Sequence, residues 1–471
     1  MTIKKLMAAL FATAGLAALP ASAANIFIVN FDGPGEGFND PTPAAPVGGN
    51  PGTTLGEQRL NAFAYAASIW GANLQSTVDI YVGARMDPLA CDANSAVLGS
   101  AGPTFVNRDF PAAPGQGTVV AGHWYHIALA NKLAGEDFVP DFVHISARFN
   151  SELGKPNCLA GSPFYLGIDG NAGTLIDLST VLLHEFGHGL GFSTTTNGTT
   201  GAYNGGFPSI YDKFAYDNDA NKAWNQMTDA QRAASALNSR RLVWTGLNTW
   251  VSALFTLDFG TPQLQITKPF SIAGLYQVGE AAFGAQLDDK RVEQKVGQVV
   301  DQTNGTGLAC TALSTANAKA VKGKVALVDR GVCGFAVKAK VVQDAGAKAM
   351  IVVENVDVTP PADMAGVDAT VKIPSVRVTL ATGNAIKGAL AGGDDVKVQL
   401  EMNWLQLRGA DRLGRTMLFN PKPFQPGSSI SHWDTSAERN LLMEPFINAD
   451  LTHSVKPPKD LTLPMLKDIG W

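Results

Sequence analysis

His184, Glu185 and His188 stand in the stretch Leu182-Leu183-His184-Glu185-Phe186-Gly187-His188-Gly189-Leu190-Gly191-Phe192, where residue types and spacing together imply chemistry. Residues four apart share one face of a helix, so both imidazoles can grip a single zinc ion while Glu185, one step round, reaches a water on it. Such a set hydrolyses peptide bonds: zinc acidifies the water and polarises the carbonyl, and the glutamate takes the proton and passes it to the leaving amine. The plainer alternative is a pair of structural histidines on a helix. Two nitrogens do not complete a catalytic zinc site, which uses three protein ligands and keeps one position for water. The other histidines are His123, His126, His144, His432 and His453.

The motif needs a helix held against a sheet. Asp177 or Ser179 can cap that helix, and Gly191, three residues past His188, allows a positive φ and a sharp exit. Upstream, residues 25–31 read as a strand, followed by a Gly/Pro-rich loop from 32 to 56. Leu60, Phe63, Ala64, Ala67 and Trp70 then give one apolar face to a helix over 57–74. Residues 78–82 and 142–149 alternate as strands, with a helix near 126–133 between them, and 165–171 reads as strand then turn. The 142–149 strand is expected to be the edge along which an extended substrate lies.

A chain of 471 residues, 45% hydrophobic and 16% charged, is long enough for two or three globular domains. Lys4 and Lys5, an apolar run over 6–19 and Pro20-Ala21-Ser22-Ala23 form the three zones of a secretory signal, with cleavage expected after Ala23. The run is short of the roughly 20 residues that span a bilayer. A secreted or periplasmic protein without a membrane span is expected. Without the two signal lysines, 34 basic residues face 41 acidic ones, a net charge of −7, and no basic stripe points to nucleic acid.

From about 261 to 403 the chain changes to short Val/Ala/Gly-rich strands and small helices. Asp329-Arg330-Gly331-Val332-Cys333-Gly334-Phe335, a helix through Lys338, Ala339, Val342 and Ala345, and Gly346-Ala347-Lys348-Ala349 before a second strand read as strand, helix, strand. This stretch closely resembles the protease-associated (PA) domain, a non-catalytic module inserted in several secreted peptidase families. Four cysteines in an exported chain are expected to pair. Three pairings exist, and proximity with the domain division favours Cys91 with Cys158 and Cys310 with Cys333.

In the compact metzincin pattern the third ligand is a histidine six residues after the second, but that position is Thr194. A downstream glutamate ligand is nearly excluded, since none occurs between Glu185 and Glu280. Ser431-His432-Trp433 followed by Leu442-Met443-Glu444-Pro445 resembles the leishmanolysin-like metzincins, in which a long insertion separates the helix motif from the third histidine. The resemblance implies His432 as third ligand and Met443 as the turn methionine packed beneath the imidazoles. His453 is the reserve ligand; His123, His126 and His144 are read as structural. His432 follows His188 by 244 positions, a span that requires a self-folding insertion.

The expectation is an α+β chain: signal 1–23, metallopeptidase part 24–260 with a mixed sheet and active-site helix, an inserted α/β PA domain 261–403, and the returning metallopeptidase part 404–471. The expected function is a secreted zinc endopeptidase acting on proteins or peptides. Calcium bracing of the Gly/Asp-rich loops is compatible with the composition but has no supporting motif. The competing reading is a secreted binding protein or adhesin with a vestigial zinc site. A zinc amidase or esterase is a third.

Overall fold

The computed structural model describes residues 23–287 and 291–471. The expected signal segment lies outside them except for its last residue.

The host fold is built on a four-stranded sheet. Its strands are β1 (Ile26–Asn30), β2 (Ile80–Asp87), β3 (Gly99–Pro103) and β4 (Ile145–Asn150), in the order β1-β2-β4-β3. β1, β2 and β4 run parallel, and β3 lies antiparallel to β4 with Gly99 opposite Phe149. Two helices pack on it, α1 (Leu55–Asn73) and α3 (Leu178–Leu190), and α2 (Ile127–Ala134) packs against α3. Thr54 and Glu57 close a capping box at the start of α1, satisfying two otherwise unpaired donors.

Two expectations change here. In α1 the buried positions are Ala62, Phe63, Ala66, Ala67 and Trp70, while Leu60 stays 39% exposed and Ala64 is exposed. Small alanines let α1 approach its neighbours, so the buried stripe is shifted from the bulkier residues. β2 begins at Ile80 and extends to Asp87: β1 pairs with it as far as Ala84, and parallel pairing with β4 carries it on through polar Arg85 and Asp87.

α3 is buried along its whole length. Asp177 caps it by accepting from the Thr180 N–H, and Gly191, with φ of 135°, closes it. Gly187 and Gly189 would each cost a helix interior about 1 kcal/mol relative to alanine. Close approach explains both: a Cβ on Gly189 would stand 2.4 Å from Ile145 Cγ2, and one on Gly187 2.8 Å from Met443 Sδ. The α1 indole holds α3 from the other side, Trp70 Nε1 donating to the Leu183 carbonyl at 3.1 Å.

The second sheet has eight strands: β5 (Phe259–Lys268), β6 (Gly274–Tyr276), β7 (Gly279–Glu280), β8 (Val292–Gln298), β9 (Val325–Asp329), β10 (Ala349–Val353), β11 (Ser375–Val378) and β12 (Lys397–Leu407). Their order is β6-β5-β12-β8-β9-β10-β11-β7. β8 to β11 are parallel; α4 (Phe335–Asp344) joins β9 to β10, and α5 (Leu380–Ala391) leads from β11 to β12. Leu327, Ile351 and Val376 feed one core while Ala326, Val328, Met350 and Val352 feed another, so this block is apolar on both faces.

β5 and β12 are antiparallel, with Thr261 opposite Asn403, so the chain leaves the host and returns side by side. It ends in α6 (Thr462–Ile469), after which Trp471 Nε1 donates to the Leu190 carbonyl at 2.7 Å. Disulfides join Cys91 to Cys158 in the host and Cys310 to Cys333 in the second sheet's unit. No helix among the described residues is long and apolar enough to cross a membrane.

Candidate metal centre

α3 presents His184 and His188 on one face, and the segment after the second sheet brings His432 against them. The three Nε2 atoms stand 3.1 to 3.2 Å from one another. Each imidazole is buried, and each Nδ1 meets a backbone carbonyl: His184 that of Leu442 at 2.7 Å, His188 that of Phe192 at 2.8 Å, His432 that of Ser428 at 2.7 Å. A carbonyl only accepts, so each Nδ1 carries its proton and each Nε2 offers a lone pair.

Three lone pairs facing one point in a buried space repel unless something positive lies between them. Burial pushes the His184 pKa down to about 4 and, with repulsion from His184, that of His188 to about 3. Burial first, then His188 and His184, holds His432 well below its ordinary value. All three are therefore neutral at pH 7, the form that binds metal. Ligands 2.0 to 2.1 Å from a tetrahedral zinc stand about 3.3 Å apart, close to the spacing here. The donor set fits one metal ion, and no other cluster of three His, Cys, Asp or Glu with that capacity occurs among the described residues.

Glu185 lies between α3 and β3. A Cβ on Gly99 would be 3.0 Å from Glu185 Cγ, so only glycine leaves its side chain free room. Burial raises the Glu185 pKa to about 8, and the Ala101 backbone N–H opposes that rise. Met443, fully buried, puts its sulfur against Gly187 between the two helix histidines, and the preceding carbonyl orients His184.

The remaining histidines lie elsewhere. His453 pairs with Asp177 at 2.9 Å, at the opposite end of α3 from His188. His144 lies against Asp137 at 3.2 Å, and His123 bonds the Ala121 carbonyl. His126 backs the site, its ring nitrogens meeting the Gly189 carbonyl and Ser193 Oγ, both at 3.3 Å. Thr194 Oγ1 donates to Asp212 and faces no ligand position.

One expectation is overturned. The 142–149 stretch is not a sheet edge: β4 is paired with β2 on one side and β3 on the other, so its backbone groups are engaged. The edge beside Glu185 is β3, Gly99-Ser100-Ala101-Gly102-Pro103, whose glycines and proline carry no strand signal.

A family model described as PA domain matches residues 295–386. Vacuolar-sorting receptor 3 of Arabidopsis thaliana is 31% identical over 147 residues, which are 29% of this chain and 23% of the receptor. The probable lipoprotein aminopeptidase LpqL of Mycobacterium tuberculosis is 43% identical over 68 residues, 14% of each chain. The chain thus spans less than a quarter of the length of either relative. Among solved structures, BSAP, a zinc aminopeptidase from Bacillus subtilis, is 19% identical with a TM-score of 0.24, over 33% of this chain and 35% of that one. Superposition at that score carries no argument about this chain's fold or chemistry.

Proposed function

We propose that this protein is an exported zinc endopeptidase of the leishmanolysin-like metzincin kind, with residues 24–260 and 404–471 forming the peptidase and 261–403 an inserted PA domain. One observation carries the reading: three buried imidazoles converge with every Nδ1 occupied and every Nε2 free, beside a glutamate that faces a sheet edge. His184, His188 and His432 hold the ion, and Met443 is the floor under it. Zinc, when bound, supplies Lewis acidity that acidifies water, polarises a scissile carbonyl and favours the ionised form of a neighbouring carboxyl.

The chain's own residues do the rest. The Glu185 carboxylate takes a proton from the attacking water and returns it to the leaving amine, work worth about 10² to 10⁴ in rate. Substrate backbone adds to the outer edge of β3, which aligns an extended peptide past Glu185. The PA domain flanks a cleft of about 1250 Å³ shared with the host, lined by Tyr276 and Gln277 on one side and Arg412 and Phe446 on the other. The metal centre does not line that cleft; the module's proposed task is to screen polypeptides that dock on the host there before they reach Glu185. Two disulfides suit an oxidising compartment.

Casein hydrolysis and metal content test the proposal together. Wild type is expected to hold one zinc per chain and cleave casein, and Glu185→Ala to keep the zinc and lose at least 100-fold in rate. Equal, zinc-insensitive signals from both would leave the enzyme reading without support. Peptides with blocked N-termini separate endopeptidase from aminopeptidase action.

A further inference from the structure

Thr194 occupies the position that holds a ligand in the compact pattern, and the fold gives it another task. Its Oγ1 donates to Asp212 Oδ1 at 2.6 Å, while its N–H donates at 3.3 Å to the Oγ of Ser431, the residue before His432. Asp212 also accepts from Thr196 Oγ1 at 2.6 Å and the Ser209 N–H at 2.8 Å. Beside it, Tyr211 donates its hydroxyl to the Ile430 carbonyl at 2.8 Å. Tyr211 and Asp212 are both completely buried.

His432 needs such tethers. His184 and His188 are fixed by helix geometry, but residues 428–432 lie outside any helix or strand. Ile430 has a φ of 77°, a left-handed backbone that a β-branched residue rarely adopts. A conformation of that kind persists where the surroundings over-determine it. Here the Ile430 N–H is held by the Phe419 carbonyl at 2.6 Å, and its own carbonyl by Tyr211.

We infer that Thr194, Tyr211, Asp212 and Ser431 form a positioning bracket for His432. It ties the segment leaving α3 to the segment that brings in the third imidazole. The inference rests on the metal reading above and deepens it: the residue at position 194, which is no ligand here, helps to hold the distant one.

Tyr211→Phe and Ser431→Ala each remove one tether from the full-length protein without emptying the core. Zinc affinity is read by competition with a chromogenic chelator, and ligand geometry by the visible spectrum of cobalt-loaded protein. Tyr211→Phe is expected to weaken zinc binding about tenfold and shift the cobalt bands, with a smaller change in the same sense for Ser431→Ala. Thr194→Ser keeps the hydroxyl and the N–H and should match wild type. Tyr203→Phe removes a comparable hydroxyl-to-carbonyl bond, to Trp224 at 3.0 Å, elsewhere in the host, and should leave zinc affinity unchanged. Wild-type affinity and spectrum in both tether variants overturn the inference, as does an equal loss in Tyr203→Phe. A wild type that holds no zinc instead overturns the metal reading, and the bracket with it.

Discussion

In the inserted unit β9, α4 and β10 follow one another within residues 325–353 and pack where they are made, while the host completes the face of α3 with a histidine 244 positions further on. The two regions bury apolar surface equally well but with contacts of opposite reach. The parallel block is a succession of neighbouring strands, each pairing with the next along the chain. The host sheet threads β4 between β2 and β3, and its helix meets Met443 and Trp471 from the far end of the chain. A block whose strands pair with their neighbours in sequence, and whose two ends meet in the β5–β12 pair, can be inserted, exchanged or lost; a site made of distant contacts exists only when the whole host has folded.

The largest effect that would break this contrast lies at the third imidazole. His432→Ala should lower zinc affinity by more than about 100-fold, beyond the range of losses from outer-shell changes, while His453→Ala keeps one zinc per chain. Zinc lost in His453→Ala and retained in His432→Ala would move the site to the other end of α3. Next comes the insert's buried ion cluster, where Glu354 is enclosed by Arg330, at 2.7 Å, and Arg377. Glu354→Gln leaves buried Arg377 uncompensated, while Arg330, 40% exposed, stays hydrated, and should cost the insert about 3 kcal/mol. Calorimetry should show one transition falling while zinc stays bound; loss of zinc with it would make the two regions one cooperative unit.

A smaller effect is expected from Gly189→Ala, whose methyl meets Ile145 and should cost about 1 to 3 kcal/mol. Here only the host transition should fall, and a shift in the insert's transition would count against separability. The smallest change comes from the largest deletion. Since Thr261 and Asn403 are strand partners, a two-residue turn can replace 262–402. Zinc stoichiometry and cleavage of short peptides should be unchanged, with only large substrates affected. A deleted protein that cleaves casein as wild type does would remove the screening role from the PA domain.

Parts of the chain with local cause were readable beforehand. The α3 cap at Asp177, the exit at Gly191, the strand-helix-strand over 325–353 and both disulfide pairs need only neighbouring residues or a short list of combinations. Elements with a distant cause were not readable in this way. Gly99-Ser100-Ala101-Gly102-Pro103 has no strand propensity, yet pairing with β4 makes it a strand. The same pairing removed β4 from the edge. Tyr211, Asp212 and Ser431 carry no motif, and their part in the site comes from bonds between residues 18, 219 and 237 positions apart.

By itself the sequence determined that α3 is a helix with His184 and His188 on one face and Glu185 beside them, because helical periodicity depends on backbone geometry alone. For the third nitrogen it offered five histidines, among which the family resemblance pointed to His432 with His453 in reserve. Only the tertiary structure decided which of these reaches the pair, which strand faces Glu185, and that all three Nε2 atoms are left without a proton. Those outcomes follow from carbonyls at Leu442, Phe192 and Ser428 and from strand pairings, and such partners are chosen by the packed fold rather than by any residue's own preference.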